Sequence, residues 1–218
     1  MGRHGARLRW VVALVSVTVA VLATVDRYVD REREWARGGD QVAVTVEAVL
    51  PEPDGVADAV VAFGRPEPVD NVVGDPDRQS VVLRLRWSGP PRKGYYQVIL
   101  LDGRVEPARV VQPYAGWDAD GGTGSNWAGA YDVLAERYAW LADTATREEP
   151  EGTITTPGNV GAVGTRATAD GSLIAVFRLA PGDLPLTDPA RLVVAFCHVG
   201  PDGDVRWAKR VPVPPPTR

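Results

Sequence analysis

The chain has 218 residues, with 24 Lys and Arg against 28 Asp and Glu, a formal net charge of −4 and a single cysteine. No basic stripe exists, which argues against a nucleic-acid footprint or a polybasic membrane patch, and Cys197 alone cannot form an intramolecular disulfide. A structural zinc site fails on count, because beyond the N-terminal tip the only Cys and His are the neighbours Cys197 and His198.

The first 25 residues carry the strongest signal. Arg3, Arg7 and Arg9 precede an apolar run, residues 10–25, that opens at Trp10, closes at Val25 and holds no charge, Gly or Pro. A basic tip before one apolar segment marks a chain handed to membrane export machinery. As a helix the run is about 24 Å long, short of the roughly 30 Å hydrocarbon core. Two outcomes follow: an uncleaved single-pass anchor with its short tail inside, or secretion after a cut near Ala23, with Val21 and Ala23 as the small pair. The anchor is preferred because residues 26–35 continue a plausible helix. Its interleaved charges (Asp26, Arg27, Asp30, Arg31, Glu32, Arg33, Glu34) suit a solvated stalk ending at Gly38 and Gly39. The expected organisation is an anchor or signal segment over 1–25, a helical stalk over 26–39, a β-rich extracytoplasmic domain over 40–212 and a Pro-rich tail over 213–218. All 28 acidic residues lie beyond residue 25, and Lys93 and Lys209 are the only lysines. That arginine-heavy usage suggests a GC-rich bacterial genome.

The exported part reads as short strands separated by turns. Strands are expected over 41–50, 58–63 and 80–87. In the third, Leu83, Leu85 and Trp87 face one side and Arg84 and Arg86 the other. Asp-Gly occurs five times, at Asp54, Asp102, Asp120, Asp170 and Asp202, and marks hairpins. Residues 95–101 pair with 104–111 across Asp102, residues 163–168 with 172–179 across Asp170, and residues 192–199 with 205–211 across the turn at Asp202. Leu192, Val194 and Phe196 share one face of their strand, and Val193, Ala195, Cys197 and Val199 the other, so that strand belongs in the middle of a sheet. About nine strands at this spacing predict a mainly β fold: an Ig-like or jelly-roll-like β-sandwich behind an N-terminal hydrophobic helix. One inserted helix is expected over 127–142, where Trp127, Tyr131, Leu134, Ala135, Tyr138, Leu141 and Ala142 recur at helical spacing behind Asn126 or Ser125 as cap, leaving Trp140 off the stripe. The alternative is an α+β domain with that helix packed on a curved sheet.

Residues 113–126 read as an unusual loop rich in glycine and acid. Gly121, Gly122 and Gly124 before a helix start resemble a phosphate cradle, but no Lys follows, and Asp118 and Asp120 would repel a phosphate. Calcium fails in register, since Gly129 stands where the bidentate Glu belongs. A second acidic loop, residues 70–77, is nonspecific. Aromatics beside carboxylates do suit a sugar, so Tyr114, Trp117, Asp118, Asp120 and Asn126 form the candidate ligand-binding set. Against it stands an ordered loop whose Trp117 packs on the predicted helix. Cys197 and His198, adjacent in a strand, point to opposite faces and cannot form a dyad. Among five serines none sits in a G-x-S-x-G elbow. The sequence thus predicts no catalytic residue, no metal and no cofactor. It predicts a membrane-anchored, non-catalytic β-sandwich that binds a protein or envelope component and no nucleic acid. The rival is a lectin-like, glycan-binding ectodomain using the Trp117 loop, and a third reading is a secreted hydrolase with His198 as base.

Overall fold

A computed structural model describes residues 3–65, 72, 74–105, 108–118, 121–123, 125–128, 137–142, 160–180, 182–183 and 185–215. The apolar run and the charged segment after it form one helix, α1 (Arg3–Arg37, 35 residues), about 52 Å long. It stops where expected: Gly38 and Gly39 open a 3-10 turn, Gly38–Gln41, from which Val42 N donates to Gly39 O at 3.3 Å.

The strands are β1 (Ala43–Val49), β2 (Ser80–Ser88), β3 (Tyr95–Asp102), β4 (Arg109–Asp118), β5 (Gly121–Thr123), β6 (Ser125–Ala128), β7 (Val160–Arg166), β8 (Asp170–Arg178), β9 (Leu192–Val199) and β10 (Val205–Pro212). All pair antiparallel, and hydrogen bonding runs β1-β2-β8-β4-β3-β9-β10. The chain is mainly β, as expected, but the two separate sheets of a sandwich are not seen. β4 explains why. Its residues 109–111 pair with β3, those from Gln112 onward pair with β8, and the register of that second ladder shifts between Pro113 and Ala115. Proline, lacking an N–H, is a natural place to break the ladder. One strand therefore serves both halves, and the eight longer strands curl into an open half-barrel. β7 fills the place beside β3 that β4 vacates, pairing with residues 95–98, and β6 pairs with β7.

Burial follows the alternation. Leu83, Leu85 and Trp87 join Leu192, Val194, Phe196 and Trp207 in the main core inside the curl. Two smaller clusters cover the outside. Trp35, Leu141 and Tyr138 pack over Ile99, Ala195, Cys197 and Ala208, so β9 is covered on both faces, as its sequence required. Val56 and Val60 pack over Val82, Ile174, Val176 and Trp117.

Four expectations are corrected. Residues 58–63 are not a strand: Val56–Ala62 is a helix, α2, because Val56 and Val60 stand one turn apart and bury together. Phe63 N donates to Ala59 O at 3.1 Å, and Gly64, at φ 112°, closes the helix in the left-handed conformation. The helix over 127–142 does not exist as drawn. Ser125–Ala128 is a strand laddered to residues 160–163, residues 129–136 lie outside the described residues, and only Ala139–Ala142 is helical (α3). Trp140 is half-buried against Tyr138, with ring centroids 6.0 Å apart, rather than exposed. Finally, β7 and β8 do not pair with each other. Gly171 sits opposite Trp87, and a Cβ there would lie 2.1 Å from the indole, so this glycine makes room for a ring instead of forming a hairpin turn. The predicted hairpins at Asp102 and Asp202 do form. The tail differs slightly too, since Val213 is buried in the main core.

Candidate functional site

Residues 113–126 are mostly strand, not loop, and this disperses the predicted ligand-binding set. Trp117, only 8% exposed, lies among Val56, Val60, Ile174 and Val176, with the Arg65 guanidinium 5.1 Å from its ring centroid. Among the described residues the helix it packs against is α2, and no ring face is left free. Asp118, the next residue along the strand, turns the other way and accepts from Thr165 Oγ1 at 2.7 Å. Tyr114 is half-buried, with the Arg178 guanidinium 3.3 Å above its ring. The Asn126 backbone is fixed in β6 opposite Ala162, and Asp120 lies outside the described residues. In the second acidic loop, Asp75 takes the Asp77 amide at 3.0 Å and pairs with Arg78 at 3.8 Å. Among the described residues no group of three His, Cys, Asp or Glu could hold a metal.

What the structure does assemble is a cleft of about 740 Å³ between α1 and one end of the sheet. The charged stretch of α1 is solvated from Asp26 to Arg31, as expected of a stalk, and docks on the sheet beyond that. Trp35 is 7% exposed, and the Tyr138 hydroxyl ties its backbone to the sheet, donating to Trp35 O at 3.2 Å and accepting from Ala208 N at 3.0 Å. Arg137 holds Glu32 through two 2.8 Å hydrogen bonds. Arg92, in the β2–β3 turn, reaches Glu34 at 3.2 Å, Gly38 O at 3.1 Å and the Gln41 carboxamide at 2.8 Å. Arg31 pairs with Asp204 at 3.3 Å. Interleaved charge on a helix usually serves solvent; here Arg31, Glu32 and Glu34 are committed to the domain.

The other wall is built by the β9–β10 turn and the end of β9. Gly203 takes φ 84° so that Gly200 N can donate to Asp204 O at 2.8 Å, which sets Asp202, Asp204 and Arg206 along the cleft. Arg206 and Asp202 are paired. His198, 3% exposed, forms the floor. Its Nε2 lies 3.0 Å from Lys93 O and so carries the proton that it donates. Its Nδ1 faces Glu34 Oε1 at 3.6 Å without a hydrogen bond. The ring lies among aromatics, 5.7 Å from Tyr96 and 5.5 Å from Trp207. Burial pulls its pKa below the ordinary value, Arg92 and Arg206 add to that, and the Lys93 carbonyl and Glu34 oppose it. His198 is therefore neutral at pH 7. Cys197, on the opposite face, has its thiol pushed up to about 12 by burial.

Sequence reasoning missed this cleft, although its parts were visible as the interleaved charges of α1 and the turn at Asp202. Nothing in the chain order connects them. The apolar N-terminal stretch is a single exposed helix. Within Val12–Gln41 the helix is long and apolar enough to cross a membrane, with mean hydropathy 1.7 and none of that window buried. Exposed Trp10 and Tyr28 flank the uncharged apolar residues 11–25, about 27 Å apart along the axis, which matches the spacing of interfacial aromatics across a bilayer of roughly 30 Å. No protein-family model matches the chain, and neither a characterised protein nor a solved structure shows detectable similarity to it.

Proposed function

We propose that this is a single-pass envelope protein whose β domain stands outside the cytoplasm, at the membrane surface, and binds a protein or envelope component without catalysing a reaction. The observation that carries the reading is the continuity of α1. One helix runs from a wholly exposed apolar segment into a buried, hydrogen-bonded seat on the sheet at Trp35. Such a helix holds the domain against the bilayer. The groups with the richest chemistry support a binding role, since His198 is neutral and already donates to Lys93 O, and the Cys197 thiol is buried and protonated. The placement of Trp117 under α2 favours this reading over a lectin, which needs an open ring face for a sugar.

The test is a C-terminally tagged full-length chain in a bacterial host, followed by membrane fractionation and external protease. The expected product is full-length, membrane-bound and protease-accessible. A trimmed product in the medium, starting near Thr24, would replace the anchor with a cleaved signal. A tag protected until lysis would reverse the topology.

A further inference from the structure

Resting on the anchored reading above, we propose that the cleft beside α1 is a lipid-headgroup site, in which the phosphate of an anionic phospholipid from the adjoining leaflet sits between Arg27 and Lys93. Depth is the first argument. With Tyr28 at the interface, Arg27 lies at headgroup level. Glu34 lies about 9 Å beyond Tyr28 along the helix, just past a headgroup layer of roughly 5–8 Å per leaflet. The Arg27 end of the cleft therefore falls within that layer and the Glu34 end at its outer edge. Tyr95, exposed two residues beyond Lys93 at the same end of the sheet, supplies an aromatic at the same level.

Charge is the second argument. Three of the acids around the cleft are taken: Asp204 by Arg31, Asp202 by Arg206 and Glu34 by Arg92. Asp30 turns to Arg33 at 3.5 Å. Among the described residues, Arg27 and Lys93 line the same space without an acidic partner. One comes from the helix and the other from the β2–β3 turn, so two separate elements present them to the cleft. Two uncommitted cations of this kind suit a phosphodiester, with arginine offering its two-pronged fork and lysine a point charge. The third argument is rigidity. The Arg31 and Arg92 pairs and the Tyr138 bridge hold the two walls together before any ligand arrives, so little ordering remains to oppose binding.

The test uses the full-length chain, delipidated in a neutral detergent. It is titrated with dihexanoylphosphatidylglycerol, dihexanoylphosphatidylcholine and inorganic phosphate, and bound molecules are counted by native mass spectrometry. One phosphatidylglycerol is expected per chain, bound about tenfold more weakly after Lys93→Gln or Arg27→Gln and unchanged after Arg191→Gln, which alters an exposed side chain at the opposite end of β9. Circular dichroism of each variant reports its fold. Equal binding by the wild type and Lys93→Gln overturns the site. Inorganic phosphate binding as tightly as the lipid overturns the lipid source, and phosphatidylcholine binding as tightly overturns the requirement for net negative charge. Wild type that stays in membranes yet retains no phosphatidylglycerol sinks the headgroup site while leaving the anchor intact; wild type found in the soluble fraction sinks the anchor instead.

Discussion

Gly38 is the residue through which α1 meets the core, and replacing it with alanine tests the whole docked arrangement. A Cβ at this position would lie 2.3 Å from Trp207 Cδ1, 2.6 Å from Nε1 and 3.1 Å from Cγ. Carbon atoms pack at about 3.5–4.0 Å, so the overlap exceeds 1 Å on at least one atom. Trp207 has nowhere to go. It is fully buried, with Tyr96 at 6.0 Å, Phe196 at 6.2 Å and His198 at 5.5 Å between centroids, and the Arg92 guanidinium 5.5 Å over its face. Relief must come from α1 backing away, which strains the Arg92 hydrogen bond to Gly38 O and the seat of Trp35. Overpacking of this kind costs about 1–3 kcal/mol, or a fall in Tm of roughly 3–10 °C for a domain of this size. Gly39→Ala is the control. There the nearest atoms are Trp207 Cε3 at 3.4 Å and Lys209 Cβ at 3.5 Å, so the change should stay within about 0.5 kcal/mol. The comparison has force because backbone propensity alone predicts the opposite sign: Gly38 has no positive φ, and alanine is favoured over glycine in a helical turn by up to about 1 kcal/mol. Thermal unfolding of the full-length chain in detergent, followed by near-UV circular dichroism, reads the result. A Gly38→Ala protein as stable as the wild type, or an equal loss at Gly39, would refute the docking of α1 on Trp207.

Trp117→Ala should behave as a core deletion, costing about 3–5 kcal/mol by denaturant unfolding; a fully stable variant would mean that the ring is not buried under α2. His198 has a lowered pKa in the fold, so the unfolded chain takes up a proton that the native chain refuses. Stability should therefore be complete above about pH 6.5 and fall as pH drops from there toward the lower folded value. His198→Phe should flatten that part of the profile, and an unchanged slope would show that another group sets it. Cys197, raised to about 12 and wholly buried, should resist alkylation at pH 8 in the native protein and react fully in guanidinium; rapid native labelling would place the thiol at the surface.

The strands that sequence located well are those whose residues record two faces directly. In β2 the alternation of Leu83, Arg84, Leu85 and Arg86 states which side is wet, and in β9 the absence of any polar side requires cover on both. Failures arose where one residue type answers different needs. Glycine after aspartate at 171 serves space for Trp87 rather than a turn, and no local signal separates the two uses. Val56, Val60 and Val61 read as β-formers, yet the i, i+4 spacing of the first two was the stronger fact, because burial against Val82 and Val176 outweighs propensity. Trp127 shows the reverse: helical spacing held over a segment whose first residues are claimed by the ladder to β7. The site was the least legible part. Arg27, Lys93, His198 and Asp202 come from three distant segments, and each alone looks like an ordinary surface or core residue.

Their meeting depends on one mechanical property of α1. A flexible stalk after Val25 would let the domain swing, and no side chain beyond it would keep a fixed height over the bilayer. The helix instead continues without a break to Arg37, and Trp35 is sunk into the sheet 25 residues after Trp10, about 38 Å along the same axis. Tyr138 then fastens that turn to β10 through Trp35 O and Ala208 N. A side chain on β9 or in the β2–β3 turn is thereby set at a constant distance from the exposed apolar stretch of the helix. On the anchored reading, that rigid relation is what would turn a mixed-charge cleft in a small β domain toward the membrane, and loosening Tyr138 should abolish it without touching a single residue that lines the cleft.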